Sequence, residues 1–255
     1  MTRSKAQEIF GTNAEAYAQS SVHVRDDSLD IIENMLSGHY FKTSVDVGTG
    51  AGFTALSISR FSQTVIASDP TRPMLNQTIK ACLYTNATNI FAIQNVAEKI
   101  PLMSDSIELV TCRKAGHHFP EFSQYIKECA RILKPGGIMI LADSISPEDD
   151  HLDHWLNEIE EERDPSHIRN RRISEINGLI NEYGFNTQTS QLTRIHLVFS
   201  SWVGRTGVSK TFSEYLQQKF IKASPETQEA FQITFKDDDI HFSWPCVVMK
   251  CVKSV

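Results

Sequence analysis

Thr43-Ser-Val-Asp-Val-Gly48-Thr-Gly50-Ala-Gly52-Phe53 decides the fold. A short β-rich run passes directly into a turn with three glycines in five positions, and residues 53–61 then carry apolar side chains at helical spacing. Strand, tight turn and helix open a βαβ unit, and the alternation continues outward. Residues 64–68 read as a second buried strand ending on Asp69, and Pro73 opens the next helix at a first-turn position where its missing N–H does no harm. Residues 90–93 and 107–112 read as the third and fourth strands. Tyr125, Ile126, Cys129, Ile132 and Leu133 then share one helix face, Lys134-Pro-Gly-Gly137 predicts the helix stop, and 138–142 is a fifth strand before Asp143.

Beyond Asp143 the pattern loosens. Residues 148–163 predict an acidic amphipathic helix with Leu152, Trp155, Leu156 and Ile159 as its stripe, and 163–172 form a basic, turn-rich segment. Ser174 is placed to cap a helix running to Tyr183; residues 192–202 and 241–252 alternate as strands around a helical insertion over 211–230. Strands separated by single helices imply right-handed crossovers and ligands beyond the strands' carboxyl ends. The expected fold class is α/β: a doubly wound, mostly parallel seven-stranded sheet of the Rossmann-like kind with a helical cap. One domain spans 1–255, its cap built from 1–40, 145–172 and 203–236.

The 255 residues, 40% hydrophobic and 22% charged, suffice for a central sheet covered on both faces. An excess of 31 acidic over 25 basic side chains offers no footprint for a phosphate backbone, so no nucleic-acid partner is expected. No apolar run approaches the roughly 20 residues that span a bilayer, and no signal-peptide core follows Met1, so no membrane insertion and a cytoplasmic location are expected. Five cysteines without a C-x-x-C pair suggest neither disulfides nor zinc. His151, His154 and Glu158 have helical spacing for a metal but fall on a water-facing acidic helix, so no metal is expected. The chain is expected to be a monomer or homodimer.

The glycine turn carries the first chemistry. A dinucleotide fingerprint would place its third glycine at 53, which is Phe53, and this weighs against a nicotinamide oxidoreductase. Asp46, two residues before Gly48, would repel a pyrophosphate and favour a ligand bearing an ammonium and a sulfonium, as S-adenosylmethionine does. Asp69, 23 residues after Asp46, stands near the offset at which an acidic side chain takes two ribose hydroxyls in such folds. A glycine turn serving only close packing, and an Asp69 capping the following turn, are the plainer readings.

Asp46 to Gly52, Asp69, Ala97-Glu-Lys-Ile-Pro101 before Ile107-Glu-Leu-Val110, and Arg131-Ile-Leu-Lys-Pro-Gly-Gly137 resemble, in order and spacing, the motifs of class I S-adenosylmethionine-dependent methyltransferases. The ubiquinone/menaquinone-methyltransferase-like (type 11) group is the most similar. Phe10-Gly-Thr-Asn-Ala-Glu-Ala-Tyr17, Thr111-Cys-Arg-Lys-Ala-Gly-His-His-Phe119 and Glu162-Arg-Asp-Pro-Ser-His167 extend the likeness over nearly the whole chain. The resemblance implies methyl transfer to a small-molecule acceptor, with S-adenosylmethionine as cofactor. It implies a cofactor site of Tyr17, Asp46, Gly48, Thr49, Gly50, Gly52, Asp69, Pro70, Asn95, Val96, Ala97 and Arg113. Tyr17 is the residue implied to close over the cofactor. Where the family often has an aspartate for the adenine amino group this chain has Val96 with Asn95 beside it, which removes one charge-assisted bond of about 1.5–3 kcal/mol. A fold-mate that binds the cofactor without methylating is the alternative.

On the acceptor side, His117-His118 ends the fourth strand beside the expected methyl position, and an imidazole titrating near neutrality suits a general base. His118 is expected to be catalytic and His117 to bind the acceptor, with a structural imidazole as the plainer reading of either. Arg163, His167 and Arg169 belong to a four-arginine run that reads either as solvated surface or as a clamp for an anionic acceptor. Trp155, Trp202 and Phe212 are the aromatic residues expected to wall a flat, quinone-like ring.

Overall fold

The computed structural model describes residues 4–19, 26–205 and 208–254. Five parallel strands form the body of the sheet: β1 (Phe41–Val47), β2 (Ser62–Asp69), β3 (Ile90–Gln94), β4 (Ile107–Arg113) and β5 (Leu133–Ser146). Two long strands complete it, β7 (Phe185–Val198) and β9 (Asp239–Lys253), with short additions at β6 (Arg171–Arg172) and β8 (Thr234–Lys236). The order is β3-β2-β1-β4-β5-β9-β7, and β9 runs antiparallel to both its neighbours. The chain winds outward from β1 in both directions. The turn after β1 therefore sits at the switch point where doubly wound sheets bind ligands.

Helices α1 (Lys5–Thr12), α2 (Ala14–Gln19) and α3 (Asp27–Leu36) precede the sheet; α4 (Phe53–Ile58) and α5 (Arg72–Thr85) follow β1 and β2, and α6 (Phe122–Ile132) follows β4. Phe122, Tyr125, Ile126, Cys129 and Ile132 are buried along one face of α6, against Val110, Met139 and Leu141. On the other face, Ile31, Ile32 and Leu36 of α3 pack with Ala55, Ile58, Val65 and Ile140. This part of the expected cap therefore lies on the sheet.

After β5 come α7 (Asp150–Arg163), α8 (Ile173–Glu182), α9 (Phe199–Gly204), α10 (Lys210–Ile221) and α11 (Pro225–Ala230). Beyond the Ser144↔Cys246 pair β9 leaves β5 and continues with β7, from Arg194↔Pro245 to Val198↔His241. This hairpin projects past the carboxyl edge of the parallel strands. Helices α7, α9, α10 and α11 wrap it around a second core of Leu156, Trp202, Phe220, Phe231, Phe242 and Trp244.

Several boundaries differ from the sequence reading. Helix α6 stops at Ile132, and Lys134-Pro-Gly-Gly137 lies within β5 instead of ending the helix. Strand β7 begins at Phe185, and α9 takes over from residue 199, so Trp202 is helical. Arg172, not Ser174, caps α8. The single helix expected over 211–230 is two, because Pro225 at the first turn of α11 starts a new helix with Ser224 as its cap.

Candidate active site

A cavity of about 270 Å³ opens beyond the carboxyl ends of β1, β2 and β4 and reaches the projecting hairpin. Gly48, Thr49, Gly50 and Ala51 form its floor, and Asp69, Pro70, Asn95, Val96 and Ala97 one end. Asp46 and Gly52 do not line it. Asp46 is buried below the turn, accepting hydrogen bonds from the hydroxyls of Thr49 and Thr111, both at 2.7 Å. Gly52 is the N-cap of α4, and a Cβ there would meet Thr78 Cγ2 at 2.7 Å. The ammonium-facing carboxylate expected at 46 is thus a brace for the turn.

Asp69 faces the cavity. Its Oδ2 accepts from Gly50 N at 2.9 Å and its Oδ1 from Thr71 N at 2.8 Å. Burial pushes its pKa above the ordinary carboxylate value, partly offset by these N–H donors. Each oxygen of an ionised carboxylate has room for about two donors, so acceptor capacity remains on both. Beside it, Asn95 Oδ1 accepts from Ser68 Oγ at 3.0 Å and its Nδ2 donates to Val96 O at 2.9 Å. The Val96 side chain is substantially exposed, while Ala97 is buried.

Arg113 ends β4 and also lines the cavity, donating from Nε to Thr54 Oγ1 and from Nη1 to Asp26 Oδ1, both at 3.0 Å. Tyr17 and Phe10 come from the N-terminal helices, their rings edge to face at 5.0 Å. Gln7 Nε2 donates to Pro70 O at 2.8 Å, which ties α1 to the end of β2.

Three imidazoles gather over the middle of the cavity. His117 and His118 have ring centroids 4.1 Å apart, and His167 lies 5.7 Å from His117. His117 Nδ1 is 2.6 Å from Asp143 Oδ1, and its backbone N–H donates to Asp143 Oδ2 at 3.0 Å. Burial works against the charged imidazole, but the Asp143 carboxylate outweighs it and raises the pKa of His117. His118 is the opposite case: burial and the His117 charge pull it down to about 3. Its Nδ1 lies 3.0 Å from the carbonyl of Ser166, which only accepts, so this nitrogen carries the proton of a neutral ring. His167 Nε2 meets Asn157 Oδ1 at 3.1 Å, and burial lowers its pKa to about 4.

The basic run divides. Arg163 lines the cavity, but Arg169 does not; its guanidinium pairs with Asp153 and Glu175, both at 3.1 Å. Arg171 lies over the Phe122 ring at 4.1 Å, and Arg172 pairs with Asp150 at 2.7 Å. Arg163 pairs with Glu160 at 2.7 Å and stacks 4.9 Å over Trp202. Glu160 Oε1 in turn accepts from the indole N–H groups of Trp202 and Trp244. Burial alone would raise the Glu160 pKa; Arg163, with His167 and His117, overcomes this and holds it at about 2. Trp155 and Phe212 pack in the second core instead of walling the cavity.

Sequence reasoning missed Asp143, Trp244 and Arg205, distant along the chain from the motifs they serve, and Glu160, which is three residues from Arg163 but whose indole partners are far away. Asp143 alone carried a signal, as an acidic residue ending a central strand. The residues at the β2 end fit a nucleoside: Asp69 retains acceptors for two hydroxyls, and a Cβ on Gly50 would meet nothing within 4 Å, so the floor is open. Among the described residues, no group of three or more His, Cys, Asp or Glu is arranged to hold a metal, and no helix is long and apolar enough to cross a membrane.

Residues 45–141 match the family model described as a methyltransferase domain. The uncharacterized methyltransferase YcgJ of Bacillus subtilis is 29% identical over 96% of this chain and 97% of its own. The uncharacterized protein YafE of Escherichia coli is 32% identical over 66% of this chain and 82% of its own. Among solved structures, Bacillus halodurans BH2331 superposes with a TM-score of 0.86 at 27% identity, covering 90% of this chain and all of that one. The B. subtilis YcgJ structure gives 0.83 at 28% identity, covering 89% and 98%.

Proposed function

This chain belongs to the class I S-adenosylmethionine-dependent methyltransferases, and we propose that it methylates a small molecule held in the same cavity as the cofactor, with His117 as base. The observation that carries the reading is that one cavity is lined jointly by Asp69, the turn at 48–51 and His117. S-adenosylmethionine supplies a methyl group activated by positive sulfur, so much of the catalysis can come from alignment in a dry pocket. In this chain Asp69 would take the ribose hydroxyls, and the turn at 48–51 with Asn95 to Ala97 would line the rest of the cofactor.

His117 replaces His118 as the base on two grounds. Asp143 fixes the Nδ1–H tautomer of His117 and raises its basicity, leaving Nε2 to take a proton from the acceptor. His118, neutral and pulled down to about 3, is a poor proton acceptor and serves as wall.

The test is transfer of label from methyl-labelled S-adenosylmethionine to a cell extract separated by size. Label is expected in the small-molecule fraction, and label in protein or nucleic acid overturns the assignment. In parallel, Asp69→Ala should weaken S-adenosylhomocysteine binding by about 1.5–3 kcal/mol in calorimetry. Unchanged affinity would remove Asp69 from the cofactor site.

A further inference from the structure

The cavity is longer than a nucleoside end and a proton acceptor require. From Asp69 on β2 it passes over β1, β4 and β5 to Trp244 on β9, four strand spacings or roughly 19 Å across the sheet. The histidines, on the loop after β4, lie between these ends. The β9 end is walled by Ile195 and Leu197 of β7, Trp202 of α9 and Trp244, a largely apolar surface supplied by the second core.

Two guanidinium groups face this apolar end, those of Arg163 and Arg205. The nearby cations are matched by protein acceptors: Arg113 and Lys114 by Asp26, Arg169 by Asp153 and Glu175, Arg172 by Asp150 and Asp153. The Arg205 guanidinium makes no hydrogen bond or ion pair among the described residues, and its Nε is buried and unpartnered. Arg163 is half satisfied. Its Nη2 donates to Glu160, while its Nε is also buried without a partner. Glu160 acts on both, and its Oε1 is already committed to two indole N–H groups. Asp164 also lines the cavity and acts on Arg163, but its Oδ1 is engaged by the Ser166 backbone and hydroxyl, so among the described residues no carboxylate is bonded to Arg205, in a setting where an unpaired buried charge is costly. The mutual repulsion is felt: burial and Arg163 lower the Arg205 pKa.

Resting on the methyltransferase reading of this cavity, we infer that Arg205, with Arg163 beside it, binds an oxyanion on the methyl acceptor while the acceptor's apolar body lies against Trp202, Trp244, Ile195 and Leu197. The acceptor is accordingly a small amphiphilic anion. A guanidinium fork matches carboxylate and phosphate alike, each by two parallel hydrogen bonds, and the low local dielectric strengthens both. Glu160 is the positioning residue. It holds Arg163 and both indoles, so that the apolar wall and the cation keep fixed places.

The experiment titrates benzoate, 3-phenylpropionate, phenyl phosphate and uncharged benzamide into the full chain saturated with S-adenosylhomocysteine, with calorimetric detection. At least one anion is expected to bind in preference to benzamide, and the carboxylate and phosphate arms separate the two oxyanions. Arg205→Met should weaken that anion by about 10- to 100-fold while S-adenosylhomocysteine affinity stays at the wild-type value. Arg169→Lys, outside the cavity, should leave both unchanged. The inference is overturned if no anion binds the complex better than benzamide, or if Arg205→Met binds the anion as wild type does. Failure of S-adenosylhomocysteine to bind the wild-type chain would instead strike the cofactor reading on which the inference rests.

Discussion

Oδ1 of Asp46 accepts a hydrogen bond from the hydroxyl of Thr111 at 2.7 Å, between residues that are register partners on adjacent parallel strands. With Thr49 on the other oxygen, the carboxyl joins β1, β4 and the glycine turn beneath the cavity. Burial pushes its pKa up to about 6, against the opposing effects of the two hydroxyls and Arg113. The folded state therefore holds this proton more tightly than the unfolded state does. The associated stability is present below an unfolded value near 3.8 and is lost as pH rises through about 6, an effect on the order of 3 kcal/mol. Asp46→Asn keeps a similar shape without the charge. The stability of wild type relative to this variant should fall between pH 4 and pH 7, read from urea midpoints; a difference independent of pH would mean that no such titration occurs.

Gly48 and Gly50 both have positive φ, +68° and +55°, but their surroundings differ. A Cβ on Gly48 would come within 2.5 Å of Ala115 Cβ, whereas one on Gly50 meets nothing within 4 Å. Gly50→Ala should cost only the left-handed backbone, about 1–2 kcal/mol. Gly48→Ala adds overpacking, about 1–3 kcal/mol more. Thermal melts of the two variants should separate accordingly, and equal midpoints would contradict the close approach of the loop after β4 to the turn.

For the two histidines, His117→Asn is expected to lower kcat by about 10²–10⁴-fold once an acceptor is in hand. His118→Asn, which removes a neutral wall residue, should change it by less than about tenfold. The wild-type rate should rise with pH through a pKa above the ordinary histidine value, since Asp143 raises that of His117. The larger loss in His118→Asn would reverse the assignment of the base.

The β1–turn–α4 unit, the mostly parallel sheet it implies and the strand-end position of Asp69 were legible along the chain, because period, glycine and strand-end carboxylate are local features. Asp69 lines the cavity as that position implies. Asp46 was legible as a carboxylate beside the turn, read as facing the ligand, but not as a buried brace, since its partner Thr111 comes from a strand 65 residues away. The start of β7 at Phe185, in a run of polar, exposed residues, carries no apolar alternation; pairing with β9 down to Phe185↔Lys253 makes it a strand. Charge density drew Arg169 into the acceptor site, yet its carboxylate partners lie on α7 and α8 and turn it away. Arg205, a lone arginine in an unremarkable stretch, faces the cavity because α9 packs Trp202 into the second core. Sequence by itself determined the nucleotide-binding half, where function resides in one contiguous turn and the ends of neighbouring strands. Tertiary structure decided the half of the cavity proposed for the acceptor, because its wall is assembled from β7, β9, α7 and α9, and which charges are neutralised there depends on packing between segments far apart in the chain.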